Sequence, residues 1–391
     1  MSGVHARLSP SGAERWVNCP GAPNAEEGYE DRTSYYAAEG TVAHRVASEC
    51  RERGLTPADF KGQVLHADGY DVEVDQDMVH HVGTFLEQVN EENENSQTLL
   101  VEVAVPIGHI TGEEGATGTA DIIGIEVRPD NLVTLRAHDL KYGQGVRVEA
   151  EGSLQLAMYM LGALEHVKWL LDLEGLRVDE VIGYIHQPRL DHFPVWHTNV
   201  EELLTIAARL TDAAIATLDP DAPRIPGESQ CRFCKHRAAC PELAQFVQGV
   251  AANDPPAEPE AIGRIYPSLK MIRDWCATVE ARAIELLEGG TSVPGVKLVE
   301  GRGSRVWNAP EEKVRGALTR AGDLRKKDVV VEKLVSVAQA EKLVPKDKWA
   351  KLSAKYVERR PGKPTVALDS DKRPELNVAD ALGFADLTEE S

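Results

Sequence analysis

Long apolar runs are missing from this sequence. No stretch approaches the roughly 20 apolar residues that a membrane-crossing helix needs. The start of the chain also lacks the basic-then-apolar pattern of a secretory signal. A soluble, cytoplasmic protein with no membrane partner is expected. Positive charge is short as well: 43 Lys and Arg face 63 Asp and Glu, for a net charge of −20. That balance argues against a surface that grips polyanions everywhere, because phosphate contacts come from Lys and Arg. The deficit is uneven. Between Gly301 and Glu375 there are 19 Lys and Arg against 11 Asp and Glu, about +8, which leaves about −28 for the rest. A basic segment on an acidic body suits local contact with nucleic acid, and it equally suits an ordinary solvated surface. Cysteine is scarce, with six in all: Cys19, Cys50, Cys231, Cys234, Cys240 and Cys276. In a reducing cytosol, spaced cysteines point to metal rather than to disulfides.

What is present begins with length. A chain of 391 residues has room for two domains and a sizeable core. Its most informative stretch runs from Gly118 to Tyr159. Two apolar runs, Ala120–Val127 and Leu132–Leu140, flank Arg-Pro-Asp-Asn and read as a β-hairpin. Asp121 begins the first strand; Asp139, Leu140 and Lys141 end the second. A helix over Glu151–Leu173 follows, with Gln155 and Tyr159 one turn apart on one face. Two carboxylates on adjacent strands can hold a hard divalent cation through oxygen. A lysine two residues past the second acid can reach the attacking water or the phosphate. For Asp-x-Lys alone, a solvated acid and lysine at a hairpin edge is the plainer reading.

The order strand–Asp, strand–Asp-x-Lys, helix–Gln-x-x-x-Tyr resembles the PD-(D/E)XK nuclease superfamily, in its RecB-like exonuclease branch. Upstream, Gly40-Thr41-x-x-His44 is similar to that branch's first motif, where the His sits beside the metal. The resemblance implies Mg²⁺ or Mn²⁺ at His44, Asp121 and Asp139. It makes Lys141 the residue that activates or positions water, and has Gln155 and Tyr159 position the nucleic acid. Glu102, on a strand expected over Leu99–Ile107, is an extra ligand in some members and is not among the ligands expected here. Glu49 reads as surface charge.

Residues 227–241 carry Cys231, Cys234 and Cys240 in the spacing Cys-x2-Cys-x5-Cys. Three thiolates this close want a fourth ligand, and zinc or an iron–sulfur cluster would accept it. His236 is one candidate, giving a zinc site of three thiolates and an imidazole. The other is Cys19, which ends a short helix over Pro10–Asn18 that Ser9 would cap. One N-terminal and three C-terminal cysteines resemble the RecB-like exonucleases that carry a [4Fe–4S] cluster. Cys50 and Cys276 read as plain buried thiols.

Further elements follow from periodicity: helices over Asp75–Asn95 and Val200–Leu218, and one capped by Thr41. Strands are expected over Val178–Gln187 and His192–Asn199, whose His186 and His192 could approach DNA. Ala251–Pro259 reads as a linker. Beyond it come a long helix over Glu260–Glu288 and a strand pair, Gly295–Glu300 and Arg305–Asn308, turned by Gly-Arg-Gly-Ser. Helices near Glu311–Arg320, Val331–Val335, Val337–Leu343 and Lys346–Lys351 and a strand at Tyr356–Glu358 complete that region. No catalytic motif appears after residue 250; Arg302, Arg305, Arg325, Lys326, Lys327, Arg359, Arg360 and Lys363 could grip duplex DNA.

The expected fold is α/β: a PD-(D/E)XK core with a mixed central sheet flanked by helices, plus a smaller α+β C-terminal domain. The expected domains are 1–250 for the nuclease, 251–259 for the linker, 260–368 for the second domain and 369–391 for a flexible tail. The chain resembles phage and prophage RecB-like nucleases. That implies a DNA exonuclease of recombination or replication, in the cytoplasm of a bacterial host. DNA is the expected partner, with a phage single-strand-binding or annealing protein as a second candidate. The rivals are an endonuclease or nickase of the same fold and a non-catalytic DNA-binding or assembly protein.

Overall fold

A computed structural model describes residues 6–30, 33–252, 258–322, 337–368 and 374–376. At its centre is the hairpin that the sequence suggests. Strand β4 (Thr117–Val127) turns at residues 128–131 into β5 (Leu132–Leu140). Asn131 takes φ +61°, a left-handed conformation that Asn tolerates. Arg128 N–H donates to the Leu132 carbonyl and closes the turn.

Around this hairpin five strands form one mixed sheet. With β3 (Thr98–Pro106), β6 (Arg177–His186) and β7 (Val195–Thr198), the order is β3-β4-β5-β6-β7. Only β5 and β6 run parallel. A parallel neighbour needs a crossover, and a long helix (Leu154–Glu174) supplies it. Alternation along the strands separates two cores. Ile123, Ile125, Leu135 and Ala137 join one with that helix, while Ile122 and Leu140 join the other with two helices from earlier in the chain. In chain order the helices of this unit include α1 (Ala13–Asn18), α2 (Ala22–Ala25), α3 (Tyr35–Arg53), α4 (Gln76–Glu92), α5 (Gly108–Thr111), α6 (Leu154–Glu174) and α7 (Val200–Ala216). A separate two-stranded hairpin, β1 (Val64–Ala67) and β2 (Tyr70–Glu73), has no counterpart in the sequence reading.

Several expected boundaries change. Helix α3 starts at Tyr35 and not after Thr41, because Ser34 Oγ accepts the Ala37 N–H and caps it. Thr41 lies inside the helix and donates to Ala37 O and Asp68 Oδ2. Ser9 precedes a 3₁₀ turn, Pro10–Gly12, without a side-chain cap. The expected helix from 260 is interrupted: Pro259–Ile265, a 3₁₀ turn at Tyr266–Ser268 holding Pro267, then Leu269–Glu288. Val296–Trp307 is one strand, β8, not a hairpin; it pairs antiparallel with β9, Val357–Leu368. Its Gly-Arg-Gly-Ser stretch marks register shifts rather than a turn.

The chain divides into two compact units, Met1–Ile272 and Arg273–Ser391. The division falls within Leu269–Glu288, past the expected linker. Most of that linker and of the expected tail lies outside the described residues, as do the expected helix at Val331–Val335 and Arg325, Lys326 and Lys327. Within the second unit, β8 and β9 accompany helices at Glu311–Gly322, Val337–Leu343 and Lys346–Tyr356. Those helices share a core of Val314, Leu318, Val337, Trp349 and Tyr356.

Candidate active site

The sheet register sets three acids abreast. On β3 and β4, Val101 pairs with Ile122 and Val103 with Ala120, so Glu102 stands opposite Asp121. On β4 and β5, Ile122 pairs with His138, and the next step of that register sets Asp121 beside Asp139. Glu102 itself drops out of the ladder, with φ +47°. A left-handed residue with a long side chain inside a strand is strained, and such strain gathers at functional sites.

Basic partners engage the middle and one end of this row. From α3, His44 Nδ1 lies 3.1 Å from Asp121 Oδ1. Asp121 Oδ2 accepts the Leu140 N–H at 2.6 Å, which locks the carboxylate to β5. At the Asp139 end Lys141 Nζ lies 2.9 Å from Asp139 Oδ2 and donates to Gln155 Oε1 at 2.8 Å. Gln155 Nε2 donates to Tyr159 Oη at 3.0 Å. All six residues expected at the site (His44, Asp121, Asp139, Lys141, Gln155, Tyr159) therefore meet there. Glu102 joins them: one ligand atom from each of His44, Glu102 and Asp121 lies within 4.8 Å of the others. Asp139 is taken up by Lys141 instead.

Electrostatics follow from this crowding. Burial pulls the His44 pKa down, but the Asp121 carboxylate outweighs it and raises the imidazole to about 9. For Asp121, burial opposes ionisation, yet the His44 charge and hydrogen bond hold the carboxyl below its usual range. Asp139 goes the other way, raised first by burial and then by Asp121 against the pull of Lys141. Glu102 keeps an edge open to solvent, but partial burial and the Asp121 charge push it up to about 7. Burial also raises the Tyr159 phenol, so its hydroxyl stays a neutral donor.

Other expected residues find different places. His186 is 2% exposed and faces the core, so it has no path to a ligand. Its Nε2 lies 3.0 Å from His138 Nδ1, and its Nδ1 3.0 Å from Gln88 Oε1. His192 Nε2 lies 3.1 Å from the Val148 carbonyl. Glu49 pairs with Arg45 and Arg53 at the helix surface, as surface charge should. In the second unit Arg305 is paired with Glu341. Unmentioned by any sequence signal, Arg189 lies over the Tyr142 ring, 4.8 Å from its centroid, and pairs with Glu39 at 2.7 Å. It thereby ties the segment after Lys141 to α3.

A second candidate centre lies at the cysteines. Cys19, Cys231, Cys234 and Cys240 line one small cavity with Arg224 and His236. Two backbone amides donate to sulfur: Ile225 N–H to Cys19 Sγ at 3.2 Å and Gly227 N–H to Cys231 Sγ at 3.4 Å. The ring nitrogens of His236 have other neighbours, Tyr29 Oη at 3.1 Å from Nδ1 and Arg224 Nη1 at 3.4 Å from Nε2. Burial raises all four thiols, Cys234 to about 12. Cys50 is buried in the α3–α4 core, whereas Cys276 is exposed, contrary to the expectation of a buried thiol.

The family described as "Protein of unknown function (DUF2800)" matches residues 5–374. The chain belongs to the DUF2800 family. In this DUF2800 protein the match covers most of both compact units, every residue of the acidic site and all four cysteines of the cavity.

Proposed function

We propose that this DUF2800 protein is a metal-dependent deoxyribonuclease of the PD-(D/E)XK superfamily, RecB-like branch, acting as an exonuclease. The observation that carries the reading is the row Glu102–Asp121–Asp139, with His44 on its middle acid and Lys141 on Asp139. Three carboxylates against one lysine and one imidazole leave a local excess of negative charge. The Asp121 charge adds to the burial that raises Asp139. Glu102, Asp121 and Asp139 offer hard carboxylate oxygens that suit Mg²⁺ or Mn²⁺, and unprotonated His44 adds a borderline nitrogen. Bound there, such an ion supplies charge neutralisation for a phosphodiester and a water of lowered pKa.

The remaining work belongs to the chain. Asp139 and Gln155 hold the Lys141 ammonium in one place, where it can stabilise charge developing on phosphate oxygens. The Leu140 amide fixes the orientation of Asp121. Tyr159 keeps Gln155 in position and offers a neutral phenol to the nucleic acid. The cysteine cavity fits a [4Fe–4S] cluster held by Cys19, Cys231, Cys234 and Cys240, with amide donors already aimed at sulfur. The other contacts of the His236 ring favour four thiolates over a zinc site that uses this imidazole.

The test is cleavage of end-labelled linear duplex, single-stranded and closed circular DNA with Mg²⁺ or Mn²⁺, beside Asp139→Ala. Loss of linear DNA by wild type alone, with circles spared, is the expected result. Cleavage of circles would make the enzyme an endonuclease. No cleavage by folded, metal-loaded wild type would overturn the catalytic reading and leave a DNA-binding or assembly protein.

A further inference from the structure

The tyrosines at the head of α3 have no part in the site described above. Tyr36 is 80% exposed, more than any other large apolar or aromatic side chain among the described residues. Tyr35 sits edge-on to Tyr36 and to Tyr70, with ring centroids 6.3 and 6.1 Å apart, so the platform is preformed. Tyr36, Gly40 and His44 follow one another at intervals of four along α3, on a single ridge of the helix. A Cβ at Gly40 would meet nothing within 4 Å, so the ridge dips to bare backbone between the tyrosine and the acidic site. To one side of the dip, Glu39 binds Arg189, which covers Tyr142 beside Lys141. The track therefore runs toward His44 alongside the segment that carries Lys141. Its length is about 12 Å along the helix axis, or roughly three to four rises of a stacked nucleic-acid strand. Nearby acids are engaged: Glu39 by Arg189, Asp68 by the Thr41 hydroxyl at 2.7 Å and Asp71 by His66 at 2.9 Å.

We propose that Tyr36 stacks an unpaired base of single-stranded nucleic acid, while a phosphate a few nucleotides along lies at the acidic row. Every base has a flat face, so the contact holds a strand without reading its sequence. The reacting phosphate in this picture rests on the nuclease reading; the stacking does not.

The test uses the full chain carrying Asp139→Asn to suppress turnover, and short single strands with 2-aminopurine at successive positions. Binding is read by anisotropy and stacking by 2-aminopurine quenching. Tyr36→Ala should weaken single-strand binding about tenfold and remove quenching at one position, and Tyr36→Trp should restore both. Equal binding by Tyr36→Ala and its parent, within twofold, overturns the proposal, as does the absence of any single-strand binding. The nuclease reading fails separately. Wild type that cleaves DNA with Tyr36→Ala neutral sinks the stacking alone; Tyr36-dependent binding by a wild type that never cleaves sinks the nuclease alone.

Discussion

Glu102 shows what a single residue contributes and what a sequence conceals. Its run, Leu-Leu-Val-Glu-Val-Ala-Val, reads plainly as a strand, and the alternation puts Glu102 on one face. Nothing in that pattern announces a left-handed backbone, because alternation reports which face a side chain takes and not its φ. Holding such a conformation costs on the order of 1–3 kcal/mol. Glycine adopts it without that penalty. Glu102→Gly should therefore raise the unfolding free energy by about 1 kcal/mol in urea titrations, while Mn²⁺ affinity measured by calorimetry falls at least tenfold. A variant that loses stability would show that φ at 102 carries no strain worth relieving. Lys141 makes a different case, since Asp-x-Lys alone reads as a solvated hairpin edge and stood out only through its order with Gln155 and Tyr159. Removing its ammonium leaves Asp139, 4% exposed, beside Asp121 with one fewer counter-charge. Lys141→Ala should lower cleavage by about 10²–10³-fold with little change in KM, as measured on linear duplex. A rise in KM alone would make Lys141 a binding residue.

Elements were legible where periodicity and turn chemistry agreed. The hairpin around residues 128–131, the strands on either side of it and the helix bearing Gln155 and Tyr159 all emerged with small boundary errors, because β-branched alternation and an apolar helix face are local signals. The Gly-Arg-Gly-Ser segment misled because glycine serves bulges as well as turns, and only a distant partner, β9, decides between them. Invisible too was the network joining β5, β6 and α4, which depends on contacts between residues far apart in sequence. Asn93 Nδ2 donates to Val89 O and to His138 Nε2. That makes His138 Nδ1–H the donor to His186 Nε2, and His186 Nδ1–H the donor to Gln88 Oε1. Each imidazole is thus fixed neutral. Burial, followed by the adjacent imidazole, keeps His138 well below its ordinary pKa, and burial brings His186 to about 4. The unfolded chain binds these protons first. Stability is therefore full above about pH 6.5 and falls as the pH drops toward 4, by an amount on the order of 3 kcal/mol for His186. Urea unfolding between pH 7.5 and 4.5 should show this slope, and His186→Gln should flatten it. An unchanged slope in the variant would place the acid sensitivity elsewhere.

At the scale of the whole Met1–Ile272 unit, the cysteine cavity joins chain segments that the sheet does not hold together. Cys19 lies just after α1, and its sulfur accepts from Ile225, 206 residues away in sequence. Gly21 N–H donates to the Pro223 carbonyl, and a Cβ at Gly21 would sit 2.4 Å from the Ala222 carbonyl oxygen, so only glycine permits this approach. Glu26 adds a third tie, accepting from the Lys235 amide at 2.7 Å and pairing with Arg15 at 2.9 Å. The Cys-x2-Cys-x5-Cys spacing was legible; the pairing with Cys19 came only through resemblance, because no local pattern links residues so far apart. A cluster on these four thiolates would close a very long loop, and cross-links of that kind stabilise mainly by restricting the unfolded chain. Anaerobically purified protein should accordingly be brown, hold about four iron atoms per chain and lose about 5–10 °C of melting temperature once the cluster is destroyed. Cys19→Ser should reproduce that loss yet leave Mn²⁺ binding at the acidic row intact below the new midpoint, since Cys19 lines a separate cavity. Colourless protein with one zinc per chain would replace the cluster by a structural zinc site. Protein with neither metal and an unchanged melting temperature in Cys19→Ser would reduce the four thiols to packing.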